Sequence, residues 1–264
     1  CMLFHSIYTA DLSFAFDPRL LTYLVVLLLV WYAIGYALFA ALVPDPRTRG
    51  AFIQTFFRTN IAIVGVSMAT SLMGDPGLAS MSIAIAVLVP LYNVLSVVTL
   101  ETCRGGSVNL KPTLIGIAKN PLIISCLLGI AFLLLRIPLP DVLLKAIHSI
   151  GNAGSTVTLV ALGASLQFSG LKKNLRKVIV GNLLRLVVSP GVALAIAILL
   201  GFRGVALGTV LLSTAASLAT NSYPMAIAMD SDYELTGQIV VTSSFLCCLT
   251  LFGWIFLLKQ AGLL

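Results

Sequence analysis

Two short polar pairs stand inside otherwise apolar sequence, and they match. Thr59-Asn60 recurs as Thr220-Asn221 at an offset of 161 residues. After each pair come a short apolar segment, an acidic turn (Asp75 in the first, Asp230 to Glu234 in the second) and another apolar run. A carboxamide offers two donors and an acceptor, and leaving those groups unpaired in hydrocarbon is unfavourable. Finding an amide at the same place in two repeated hairpins reads as a paired polar site inside a membrane bundle, suited to hydrogen-bonding a solute in transit. Arg58, two residues before Asn60, is a candidate counter-charge for an anion. Asn93 is a further amide in apolar surroundings, with Gln238 as its looser counterpart.

The chemistry that is missing narrows the reading. All nine acids lie in loops or near the ends of apolar runs, and the two histidines, His5 and His148, are isolated. The five cysteines, Cys1, Cys103, Cys126, Cys247 and Cys248, show no metal-ligand spacing. Intramembrane hydrolysis needs paired His with Glu, two in-span Asp, or a Ser with a nearby base; none is present. The expectation is a protein that is not an enzyme and needs no metal or cofactor.

Backbone chemistry singles out Pro224. A proline inside a helix removes a donor and clashes with the carbonyl four residues back, here that of Thr220. It also pushes Tyr223 away from helical dihedrals. A helix break is therefore expected at about 220–223, beside Asn221. The amides of the following half-helix would then face the site with partial positive charge, which suits a carboxylate. The partner break is expected near Asn60 and Gly65, without a proline. Arg58 and Arg185 both enter apolar runs from the same side, and matching depth leads us to expect that they snorkel to the headgroups.

These residues must be held by membrane helices. The chain of 264 residues is 59% hydrophobic and 9% charged, with a mean hydropathy of +1.07. A soluble domain of this size could not cover its surface with so little charge. The apolar runs are too long for barrel strands and lack their period of two. The fold class is an all-α polytopic membrane protein. Eight spans can be marked at roughly 20–43, 51–73, 78–100, 120–136, 143–167, 178–200, 204–229 and 233–258, each near the length needed to cross. Glycines within them, and the stretch Ala161 to Ser165, suit close helix contacts.

The net charge of +7 requires no nucleic acid, because loop placement explains it. Loops on one side carry Arg47, Arg49, Arg104, Lys111, Lys119, Lys172, Lys173, Arg176 and Lys177; the other side carries Arg19, Arg136, Lys145, Arg203 and Lys259. The richer side is expected to be cytoplasmic, which places both chain ends outside a cytoplasmic (inner) membrane.

The repeated pairs lie in the second and seventh spans, an odd number apart, so the repeat is expected to be inverted. A five-span unit ending at the eighth span begins at the fourth, which leaves only three spans for the unit before it. The expected parent is a ten-span protein with two spans missing upstream. The layout is then residues 1–100 as the last three spans of the first repeat, 101–119 as a cytoplasmic linker in which Pro112 opens a short interfacial helix, and 120–264 as the second repeat.

Together the segment Arg58 to Gly65, the entry Lys119-Asn120-Pro121-Leu122-Ile123, the run Gly154-Ser155-Thr156-Val157-Thr158-Leu159 through Gly163, and Ser213 to Thr250 resemble the auxin efflux carrier family in its bacterial form. The last stretch carries most, with Asn221-Ser222-Tyr223 and the turn Asp232-Tyr233-Glu234-Leu235. The resemblance implies ten spans in two inverted five-span repeats, a fold similar to bile-acid sodium symporters, a scaffold and a transport portion, and crossing broken helices, here the second and seventh spans. It implies that Asn60 and Asn221 flank the crossover where a carboxylate binds. One departure stands out: related sequences carry proline where Ser217 stands, and Pro224 lies beyond Asn221, so the break is expected to shift by up to two turns.

The reading is a secondary transporter that effluxes a small organic anion such as a carboxylate by alternating access. The substrate-binding set is Arg58, Thr59, Asn60, Gly65, Asn93, Thr220, Asn221 and Pro224. The partners are that anion and the lipid bilayer, and a homodimer is among the expected assemblies. The alternatives are a sodium-coupled importer of organic anions and, further off, a membrane sensor or scaffold that moves nothing.

Overall fold

The structure, a computed structural model, describes residues 4–5, 8–9, 17–104, 121–135, 137–165 and 168–264. Among them it is helical throughout, with no strand. In chain order the helices are α1 (Pro18–Leu42), α2 (Pro46–Phe57), α3 (Val66–Arg104), α4 (Pro121–Leu134), α5 (Asp141–Ser165), α6 (Phe168–Leu183), α7 (Ser189–Leu199), α8 (Gly204–Ala215), α9 (Ser222–Ala228) and α10 (Tyr233–Gln260). Two wide π-helical turns, Ile61–Gly65 and Leu184–Val188, lead into α3 and α7.

Local sequence explains where several helices begin. Asp17 accepts from the amides of Arg19 and Leu20 with Pro18 behind it, and Asp45 accepts from Thr48 N with Pro46 behind it. Asp232 caps α10 through the amide of Leu235. Each is a side-chain oxygen satisfying one of the amides that a helix start leaves without a partner, and the two prolines sit where a missing donor costs nothing. α3 is two helices joined at Gly74, whose φ of 63° belongs to the left-handed region that glycine enters without strain.

Among the described residues four helical stretches are long and apolar enough to cross a membrane: Pro18–Leu42, Pro46–Arg104, Asn174–Leu199 and Tyr233–Gln260. Large apolar side chains face outward along α1 (Val26, Leu29, Val30) and α10 (Phe245, Leu249, Phe252, Phe256). That outer apolar band suits lipid contact and would be an aggregation hazard in water. The chain is a membrane-embedded, all-α protein.

Several expected boundaries move. The second span begins at Pro46, not 51, because Asp45 and Pro46 start a helix there. The third continues to Arg104, through the first residues assigned to the linker. Of the fourth, the described part is the 14-residue α4. The proposed interfacial helix after Pro112 lies outside the described residues. On the expected small-residue contact face, Gly163 meets open space within this chain.

The core gathers around α8, which is buried along its whole inner length from Leu207 to Ala215. It packs chiefly against α3 and α7. At Gly208 an added Cβ would run into the thioether of Met73, whose flexible end would have to shift to keep α8 this close to the turn before Gly74. In a membrane such contacts rest on shape, since lipid tails are as apolar as the core.

Candidate functional site

Two helices break, and the breaks touch. α2 ends at Phe57, Arg58 is extended (φ −87°, ψ 127°) and the π-helical turn restarts after Asn60. α8 ends at Ala215, Ala216 is extended (φ −66°, ψ 157°) and α9 restarts after Asn221. The amide of Asn60 donates to the carbonyl of Ser217 at 2.9 Å, so one break supplies the other's hydrogen bond. The amide of Leu218 is taken by Ser243 Oγ of α10 at 3.1 Å. Interrupted backbone at this depth persists only where protein or a wet cavity satisfies it, and these contacts do so.

Arg58 ties the breaks to α3. Its guanidinium donates to Asn221 Oδ1 at 2.7 Å, to Asn93 Oδ1 at 2.9 Å and to Met225 Sδ at 2.9 Å. It is 1% exposed. The expectation that Arg58 snorkels is therefore overturned: the extended backbone at position 58 turns the side chain inward between α3 and α9, where three acceptors receive it. On the elements that supply these acceptors, Asn93 Nδ2 and the hydroxyls of Ser96 and Ser222 are buried and find no hydrogen-bond partner among the described residues.

The structure brings most of the sequence-derived residues to this crossing. Asn221 binds Arg58 directly. Asn60 joins the breaks through its backbone, and its side chain makes no hydrogen bond with any described residue. Thr59 Oγ1 donates to Tyr92 OH at 3.2 Å. Gly65 sits in the π-helical turn, with Met81 Sδ 3.1 Å from where a Cβ would be. Thr220 is half-buried at the end of the second break. Gln238, weighed against Asn93, instead donates to Glu234 on its own helix at 3.2 Å.

The location of the second break differs from expectation. It spans 216–221, not 220–223, and it is not displaced past Asn221. Pro224 is the third residue of α9, within the first turn, where amides have no helical acceptor anyway. It starts the second half-helix and does not create the gap.

Arg185 was expected at the headgroups and is instead 1% exposed in the interior. Its Nε and Nη2 donate to the carbonyl of Ala216 at 3.2 and 3.1 Å, Nη2 also to that of Thr214 at 2.8 Å, and Nη1 to that of Phe56 at 3.3 Å. These carbonyls end α2 and α8, so one guanidinium caps both helices that stop at the crossing. A sequence signal for this existed in Ser189-Pro190. Proline cannot donate to the carbonyl of Leu186, which takes Trp254 Nε1–H at 3.0 Å instead, and the wide turn Leu184–Val188 just before it carries Arg185.

Beside the crossing is a pocket walled by Leu24, Leu27 and Leu28 of α1, with Thr59, Tyr92 and Arg185 on its polar side. Among the described residues no group of His, Cys, Asp and Glu has the arrangement of a metal site.

Residues 107–255, more than half of the chain, match the family described as membrane transport protein. This match contains the second break and α10 as far as residue 255. An uncharacterized transporter of Methanocaldococcus jannaschii is 26% identical over 216 residues, covering 79% of this chain and 68% of the relative. Broken helices meeting in an apolar bundle, and sequence kinship that runs through them, lead to one conclusion: this chain is a transporter and belongs to the membrane transport protein family of auxin efflux carriers.

Proposed function

We propose that this protein carries a small organic anion, such as a carboxylate, across the cytoplasmic membrane by alternating access, with the crossing of the two breaks as its binding site. The observation that carries the reading is Arg58, a guanidinium buried at the crossing with neutral acceptors from Asn93 and Asn221 and with the Asn60 carboxamide close by in sequence. A cation kept inside a membrane bundle is costly and is usually functional. Guanidinium and carboxamide donors, together with the amide ends of the restarting helices, suit a carboxylate.

The matching positions of Asn60 and Asn221, each the last residue of its break, support an inverted repeat in which the anion is held from both halves. Loop charge supports cytoplasmic placement of the 44–50 and 230–232 turns. A negative interior favours anion export by ~2.3 kcal/mol per charge per 100 mV, so efflux needs no coupling ion. Sodium coupling fits less well, because the carbonyls of Phe56, Thr214 and Ala216, oxygens that a sodium site at the crossing would use, already serve Arg185.

The test is efflux of labelled mono- and dicarboxylates from vesicles containing the purified protein, with and without sodium and an imposed potential. Potential-driven, sodium-independent carboxylate flux is expected. Flux of no carboxylate under any gradient overturns the substrate class, and strict sodium dependence favours the importer.

A further inference from the structure

We propose that Arg185 is the positioning residue of the crossing: it fastens the carbonyl ends of both broken helices, so that the two breaks keep one geometry and move as a unit. Its four hydrogen bonds go to three carbonyls on two helices that meet here, α2 and α8. A planar fork with five donors suits this task, and an ammonium does not.

Charge balance explains why a buried cation is stable there. Each helix C-terminus carries roughly −0.5 of an elementary charge, so the two ends that meet Arg185 offset about one positive charge. Among the described residues no carboxylate stands against it. Arg185 is thus satisfied by backbone carbonyls, whereas Arg58 donates to the side chains of Asn93, Asn221 and Met225. The chain builds the seat for Arg185 deliberately: Pro190 frees the carbonyl of Leu186, Trp254 occupies it, and the wide turn between them holds Arg185 inward.

The affinity part of the test rests on the anion reading; the exchange part does not. Amide hydrogen exchange would be measured on the full chain in lipid nanodiscs for the wild type, Arg185→Lys and Arg185→Gln. The amides of Asn60 and Leu218, which bond across the crossing and to Ser243, report the two breaks. Expected is exchange faster by about tenfold or more in both windows, 56–61 and 214–221, with α1 and α10 unchanged, and a smaller effect in the lysine variant. Carboxylate affinity should fall by a similar factor, with no further fall when Asn60→Ala and Asn221→Ala are already present.

Acceleration in one window alone, in neither, or uniformly across the helices overturns the proposal. So does failure of both variants to fold, which would make Arg185 a general requirement of the bundle. A wild type that binds no carboxylate while both windows still respond leaves the fastening role standing and removes the anion reading.

Discussion

The two breaks end alike and are held differently. The first is three residues long, from Arg58 to Asn60, and slides into a π-helical turn. The second is six residues long, from Ala216 to Asn221, and stops before a separate seven-residue helix. The first contributes the cation and a carboxamide that bonds to no described residue. The second contributes the acceptor for that cation and a carbonyl for the first break's amide. Identical sequence pairs are thus held differently: Asn221 accepts from Arg58, while Asn60 reaches the other break through its backbone amide, and the proposed role of its carboxamide is to meet the solute.

Removing the cation should break this division most severely. In Arg58→Gln the Oδ1 atoms of Asn93 and Asn221 lose their shared donor inside the bundle. Each acceptor left alone in the interior costs about 1–3 kcal/mol, so unfolding in detergent should be easier by roughly 2–6 kcal/mol. Transport should fall by about a hundredfold, since a charge-assisted contact to the anion is lost as well. Arg58→Lys should recover part of the stability and little of the flux, because one ammonium cannot keep the spacing of the fork. Wild-type flux in the glutamine variant would remove Arg58 from the site.

The paired asparagines give the sharper contrast. Asn221→Ala takes away an acceptor of Arg58 and should lower stability by about 1–3 kcal/mol. Asn60→Ala deletes no side-chain bond to the described residues and should stay within about 0.5 kcal/mol of the wild type. Carboxylate affinity should fall about tenfold in both. Thermal unfolding with and without the anion separates the two effects. Equal destabilisation by both variants would mean that the breaks are held alike, against the asymmetry of their hydrogen bonds.

The sequence made the membrane class and the meeting of Asn60 with the second break legible, because apolar length and a repeated amide are local signals. It misplaced Arg185, and for Arg58 it held both the crossing and the headgroups open. Depth along an apolar run looks the same for a side chain that climbs to the headgroups and for one that turns inward; the difference lies in acceptors from distant helices, such as Asn93 and Asn221 for Arg58 and the Thr214 carbonyl for Arg185. Tyr92 and Met225 were unreadable for the same reason. The break boundary was misread because proline was treated as its cause, while the interruption is stabilised by partners 25 or more residues away, Ser243 being the nearest in sequence to the amide it holds.

Pro224→Ala is therefore the substitution with the smallest expected effect on flux, although the sequence alone marks it as the largest. If proline made the gap, alanine would let α8 and α9 join, and the crossing would close. The structure instead fixes the gap ahead of Pro224. Arg185 holds the carbonyls of Thr214 and Ala216, the amide of Asn60 holds Ser217, and Ser243 holds the amide of Leu218. Joining the helices would forfeit all of these for a few intrahelical bonds. At the third position of α9 an alanine restores an amide in the first turn and loosens the unfolded chain, worth about 0.4–1 kcal/mol against folding. Flux should remain within about twofold, and exchange across 216–221 should match the wild type while α9 frays slightly faster. Slowed exchange through 216–221 with lost transport would return the break to proline, and with it the control of the site to local sequence.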